Sequence, residues 1–246
     1  MKERPLLFSA PMVRAGLKDR KSQTRRICQA RTQNEADIMA GAIMDDMNGA
    51  DDGIHEKATW ERFGCPYGLP GDRLWVRETW KTCLAYDDYS PSQIDSGAAV
   101  QWLADGAKRL NGPEAFGRTR VSIHMPRWAS RLTLVVVAVR CERLQDITET
   151  DAWKEGIGTE GKPLEALANL CIIYPKTDLG RLAADDMTLF QFGDDRKTLS
   201  DYEKVVSTTG RGCFAYLWES INGPGAWARN PWVWVVEFRR IANPTN

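Results

Sequence analysis

Arg131-Leu-Thr-Leu-Val-Val-Val-Ala-Val-Arg140 runs on through Cys141-Glu-Arg-Leu144 into Gln145-Asp-Ile-Thr-Glu-Thr-Asp-Ala-Trp-Lys-Glu-Gly156. The reading of this stretch decides the fold. Its first part is rich in β-branched and aliphatic residues and bounded by arginines, which reads as a strand. Leu134–Val139 is apolar at every position, so that strand is expected to be buried on both faces, as in a barrel or a sandwich. The second part reads as a short helix. Thr148 and Asp151 fit a capping box and Gly156 fits a C-terminal stop.

Outward from this centre, Pro70-Gly71-Asp72 is a turn signal, and Leu74-Trp75-Val76-Arg77-Glu78 alternates as a strand does. Near the start, Leu6–Phe8 is a short apolar run consistent with a strand. Pro11 then suits the first turn of a helix capped by Ser9 or Ala10, with Met12, Val13, Ala15 and Leu17 on its apolar side. Near the end, Phe214–Ile221 reads as a helix stopped by Asn222-Gly223-Pro224, and Pro231–Phe238 as a closing strand. These elements describe one α+β domain over residues 1–246 with long loop insertions at about 29–64, 81–117 and 158–208. The first insertion is polar and acidic, with one helical candidate near Ala36–Met47.

The 246 residues include 33 Lys+Arg against 33 Asp+Glu, and 43% are hydrophobic, the composition of a soluble globular chain. The longest apolar runs, Leu134–Val139 and Trp232–Val236, fall far short of the ~20 residues of a membrane span. Pro5, Pro11 and Arg14 break the apolar N-terminal stretch, so no export signal is expected. The six cysteines form no C-x-x-C pair, and His55 and His124 are the only histidines. A reduced, cytoplasmic protein without a metal or other cofactor is the expectation.

Zero net charge hides a segregation. Residues 1–31 carry +7 and residues 34–56 carry −7, while Arg118, Arg120, Arg127 and Arg131 form a second basic stretch without acids. Such stretches can meet the phosphates of RNA or DNA. Alternatively, the acidic segment folds against the basic one as an internal ion-pair cover.

Two features point to chemistry. In Arg20-Lys21-Ser22-Gln23-Thr24-Arg25-Arg26, a lysine precedes a threonine by three residues. In a straight strand their side chains face opposite ways, so they share a site only if the backbone turns between them. A lysine crowded by arginines loses its proton more readily, and a neutral lysine beside a hydroxyl can activate a nucleophile. The plainer reading is a solvated basic loop. The second feature is Glu155, a carboxylate in the last turn before Gly156 that opposes the helix dipole without visible local compensation. Among the tryptophans, Trp75, Trp232 and Trp234 read as core, whereas Trp80, Trp128 and Trp153 lie near element ends where a base can stack.

The Arg20–Arg26 stretch resembles the G-x-K-x-x-T-x-R signature of the ASCH domain, a relative of the PUA RNA-binding domain. Lys21, Thr24 and Arg26 stand on the pattern, and Asp19 occupies its glycine position. Pro70–Glu78, Leu132–Ile157 and Trp232–Phe238 also fit, so the resemblance covers about half of the chain. The insertions look like those of larger members from phages and prophages. The resemblance implies a PUA-like mixed β-barrel of about six strands with short helices. It also implies an amidohydrolase, acting on a linear amide C–N bond, that removes the acetyl group of N4-acetylcytidine or a similar cytosine-type nucleoside or base. Its catalytic set would be Lys21, Thr24 and Glu155, with Glu155 protonating the leaving nitrogen and Glu78 as its substitute if Glu155 points away. Arg26 would stabilise the oxyanion and Trp80 or Trp128 would stack on the base, with no cofactor required. The alternative from the same resemblance is a non-catalytic PUA-like module binding RNA or modified nucleic acid. A ribonuclease ranks last, because His55 and His124 do not make an evident acid–base pair.

Overall fold

The main sheet is assembled from strands far apart in the sequence. A computed structural model describes residues 1–49, 53–106, 115–159, 162–163, 173–175, 202–204 and 210–241. Its elements in chain order are β1 (Glu3–Leu7), α1 (Ala10–Leu17), β2 (Gln23–Ile27), α2 (Gln33–Gly49), α3 (Ile54–Phe63), β3 (Arg73–Arg77), β4 (Trp80–Thr82), β5 (Val100–Trp102) and β6 (Thr133–Arg143). Then follow α4 (Glu149–Lys154), β7 (Gly158–Thr159), β8 (Lys162–Pro163), β9 (Ile173–Pro175), β10 (Tyr202–Lys204), α5 (Gly210–Asn222) and β11 (Trp232–Ile241). One five-stranded sheet has the order β1-β3-β6-β11-β2, and β4–β5, β7–β8 and β9–β10 are separate antiparallel pairs. The α+β class is as expected. The described strands form one five-stranded sheet and three two-stranded pairs, and no closed barrel of about six strands is found among the described residues.

The chain divides into two compact units. The first holds Met1–Ser22, Pro66–Ala138 and Glu237–Asn246, and the second Gln23–Cys65 and Val139–Val236. In the first, β1 pairs parallel with β3 (Leu6↔Val76, Leu7↔Arg77), and β3 pairs antiparallel with β6 (Trp75↔Thr133). Pro11 opens α1, which buries Met12, Val13, Ala15 and Gly16. Leu132 comes so near Gly16 that a Cβ there would lie 3.0 Å from its Cδ2. Leu6, Val13, Leu74, Val76, Leu132 and Leu134 are all buried in this unit, each stabilising by about 1.5–3 kcal/mol.

The 81–117 insertion lies in this unit and has more structure than an irregular excursion. It supplies β5 and short 3₁₀ turns at Leu84–Tyr86, Pro91–Gln93 and Leu103–Asp105. Trp80, Ile94, Met125 and Ala129 form a small core there, with Trp102 and Trp128 packed against it.

In the second unit, α4 and α5 cover a core of Leu144, Ile147, Ala152, Ile157, Phe214, Trp218, Val233 and Val235, against which Ile27 of β2 packs. Residues 29–64 contain two helices, α2 and α3, rather than one. Of α2 only Met39 and Ala42 are buried, so its apolar periodicity in the sequence is faint. The β6 run is likewise only partly enclosed: Val137 is 51% exposed, which corrects the expectation of burial on both faces. Apart from β7–β10, the 158–208 insertion lies outside the described residues. No helix among the described residues is long and apolar enough to cross a membrane.

Candidate functional site

In the first unit the site begins at the end of α1. Asp19 takes φ 55°, the left-handed conformation that favours glycine, and its N–H donates to the Gly16 carbonyl at 3.1 Å. The aspartate in the motif's glycine position therefore makes the turn a glycine would make. Its carboxylate accepts two hydrogen bonds from Arg240, at 2.9 and 2.7 Å. After this turn Lys21 is buried at 5% exposure, with its Nζ 5.3 Å from the centroid of the Phe8 ring. The basic run is thus not a solvated loop at this lysine.

The Phe8 N–H donates to the Arg77 carbonyl at 3.1 Å, which carries the parallel β1–β3 pairing one step beyond Leu7↔Arg77. Leu6 and Val76 are buried and Leu7 is exposed, so alternation turns Phe8 and Glu78 to the same buried face. Glu78 is 2% exposed. Arg131, at the entrance to β6, grips it with both arms of its fork, Nε to Oε1 at 2.9 Å and Nη2 to Oε2 at 3.0 Å. Burial nonetheless pushes the Glu78 carboxyl above the usual carboxylate range, outweighing the pull of Arg131, and the Asp105 charge adds to the rise.

In the second unit β2 alternates polar side chains of opposite destination. Gln23, Arg25 and Ile27 face the α4–α5 layer. The Arg25 side chain is fully buried and donates to Glu155 Oε1 at 3.1 Å, to Gln23 Oε1 at 2.7 Å and to Glu142 Oε1 at 2.6 Å. Asp151 lies 3.6 Å from it and also accepts from Gln23, Arg140 and Lys154. Three cations and three carboxylates therefore meet in one network, the arrangement that makes buried charge tolerable. Glu155 itself is the C-cap of α4, and Arg25 is the compensation for its unfavourable place on the helix dipole.

Thr24 is 3% exposed, but alternation directs its hydroxyl and the half-buried Arg26 to the opposite face of β2 from Arg25 and Glu155. The structure thus sets Lys21 against the Phe8 ring, joins Glu155 to Arg25, and by alternation turns Thr24 to the face of β2 opposite Arg25. Trp80 is a correction: it has no exposed surface, the Arg120 guanidinium lies 5.7 Å from its ring, and it is core rather than a stacking platform. Trp128 is half-buried and meets Trp80 edge-on at 6.1 Å.

The second basic stretch is largely occupied within the fold. Arg120 donates to the carbonyls of Tyr86 and Tyr89, Arg127 to Glu3 at 2.9 Å, and Arg131 to Glu78 and Asp105. The acidic segment meets the basic one at Arg31–Glu35; Asp46 caps α3, and Glu56 pairs with Arg143. Among the described residues no group of three His, Cys, Asp or Glu side chains is placed to hold a metal ion. Sequence reasoning missed Arg25, Gln23, Arg131 and Asp105. The i, i+2 spacing of Gln23 and Arg25 was a signal for the first two, whereas Arg131 and Asp105 reach Glu78 across chain separations that no local pattern reveals. Compared with protein-family models, curated proteins and solved structures, the chain matches none.

Proposed function

We propose that the protein is an amidohydrolase of the ASCH type on a PUA-like scaffold, removing an acyl group from the exocyclic amine of a cytosine-type nucleoside or base. The observation that carries the reading is the burial of two ionisable side chains in this unit, Lys21 against Phe8 behind the left-handed turn at Asp19 and Glu78 at the end of β3. Holding ionisable side chains out of water costs free energy that pairing must offset, and such groups concentrate where chemistry is done.

In the reaction, Lys21 in its neutral form takes the proton of the nucleophile, which the K-x-x-T resemblance assigns to Thr24 or to a water. Attack on the acyl carbonyl gives a tetrahedral oxyanion, with Arg26 as its candidate partner. Glu78, whose raised carboxyl keeps a proton longer than an exposed one, gives it to the exocyclic nitrogen as the C–N bond breaks. If Thr24 attacks, a water then releases the acid from the acyl-threonine. Glu155 serves a different end, holding β2 against α4 through Arg25.

The binding-module alternative draws less support, because Arg120, Arg127 and Arg131 of the second basic stretch are already engaged inside the fold. The test is incubation with N4-acetylcytidine, followed by chromatography, of the parent and of Lys21→Ala. Cytidine and acetate from the parent alone are expected. A folded parent that yields no cytidine, yet binds oligonucleotide with a steep salt dependence, would favour the module.

A further inference from the structure

Glu78 does not hold Arg131 alone. The Asp105 carboxylate, at the end of the Leu103–Asp105 turn, accepts from Arg131 Nη2 at 3.0 Å, while the same nitrogen donates to Glu78 Oε2. Arg131 is further fixed by the Trp102 ring, 4.8 Å from its guanidinium carbon, and Trp102 is anchored by its own Nε1–H to the Ala129 carbonyl at 2.9 Å. The turn that carries Asp105 is tied to α1, since Arg14 donates to the Ala104 carbonyl at 2.8 Å. One guanidinium therefore serves two carboxylates of unlike surroundings. Glu78 is 2% exposed, whereas the Asp105 side chain is 47% exposed. Both Trp102 and Asp105 come from the 81–117 insertion.

We propose that this insertion supplies Asp105 as a positioning residue that shares Arg131 with Glu78 and thereby places and electrostatically tunes the Glu78 carboxyl. A guanidinium divided between two anions favours the ionised form of each less than one devoted to a single anion. The charged groups that bear on Glu78 are Arg131 from the entrance of β6 and Asp105 from the turn. On the chain that faces it from residues 122–125, the contact is the uncharged sulfur of Met125, which accepts the Glu78 N–H at 3.4 Å. Removing the Asp105 charge takes away an anion that competes with Glu78 for Arg131, so Glu78 should lose its proton at lower pH.

The inference rests on Glu78 as the proton donor of the proposed reaction, but its test has a readout independent of turnover. The titration of the Glu78 side-chain carboxyl is followed by carbon-13 NMR in the parent, Asp105→Asn and Asp105→Glu, with Glu78→Gln identifying the resonance. The expected result is a midpoint displaced to lower pH in Asp105→Asn and returned towards the parent in Asp105→Glu. Equal midpoints in the parent and Asp105→Asn would overturn the proposal. With N4-acetylcytidine as substrate, the alkaline fall of kcat should move to lower pH in Asp105→Asn while KM stays within about twofold. A displaced midpoint in a parent that does not hydrolyse N4-acetylcytidine would sustain the sharing of Arg131 and remove the hydrolase reading.

Discussion

At the scale of single residues, the fold repeatedly places a charge where burial alone would forbid it and then supplies the group that makes it tolerable. Glu78 is the case with a measurable pH signature. Because its carboxyl is raised in the fold, the folded chain keeps a proton that the unfolded chain has already released. The stabilising contribution of this group is therefore present at acid pH and lost as pH rises from the ordinary value of 4.5 through the raised one. Glu78→Gln removes that dependence. In urea titrations across pH, stability of the variant minus that of the parent should be flat below pH 4.5 and should climb above it. A difference that falls over that range would show the carboxyl to be lowered instead. At the same scale, Asp19 holds a left-handed conformation that favours glycine: its φ of 55° is within reach of aspartate, and Arg240 engages its carboxylate.

At the scale of elements, what could be read from the sequence was what neighbours dictate. The start of α4 was legible because its signal is local. Thr148 accepts the Asp151 N–H at 3.1 Å, and Gly156 leaves the helix at φ 82°. The partner of Glu155 was not legible, because the group that satisfies it lies 130 residues earlier, on β2. Arg25 is thus the clasp between β2 and α4, and removing it strands buried carboxylates. Arg25→Ala should cost about 3–5 kcal/mol in urea unfolding, the range for breaking one side of a buried ion pair. A loss below about 1 kcal/mol would show that the network contributes little beyond what surface pairs do. Of the two helices in the first insertion, α2 matches the candidate near Ala36–Met47, whereas α3 escaped the sequence reading because a helix that buries only Trp60 writes hardly any periodicity into its sequence. The continuous run of β6 suggested more burial than it has, since period-two alternation is invisible where both faces carry aliphatic residues, and Val137 proves to be exposed.

At the scale of the molecule, the α+β class and the strands near residues 6, 75, 135 and 234 were legible, whereas the division into two compact units was not. Each unit draws on segments far apart in sequence, and no linker marks the divide, which falls within β6 and β11 themselves. The candidate site was legible to the extent that Lys21 and Glu78 carry chemistry and are buried. The surroundings of the two carboxyls were not, because they depend on strand pairing and distant partners: the β1–β3 register brings Glu78 level with Phe8, and Arg25 on β2 holds Glu155. The account therefore turns on the choice between two buried glutamates. The most direct measurement is the turnover of N4-acetylcytidine by Glu78→Gln and by Glu155→Gln beside the parent, each variant first shown to be folded. The account predicts a loss of kcat of about a hundredfold or more in Glu78→Gln, the scale of a missing general acid, and activity within about tenfold of the parent in Glu155→Gln. Loss in Glu155→Gln with activity retained in Glu78→Gln would contradict it.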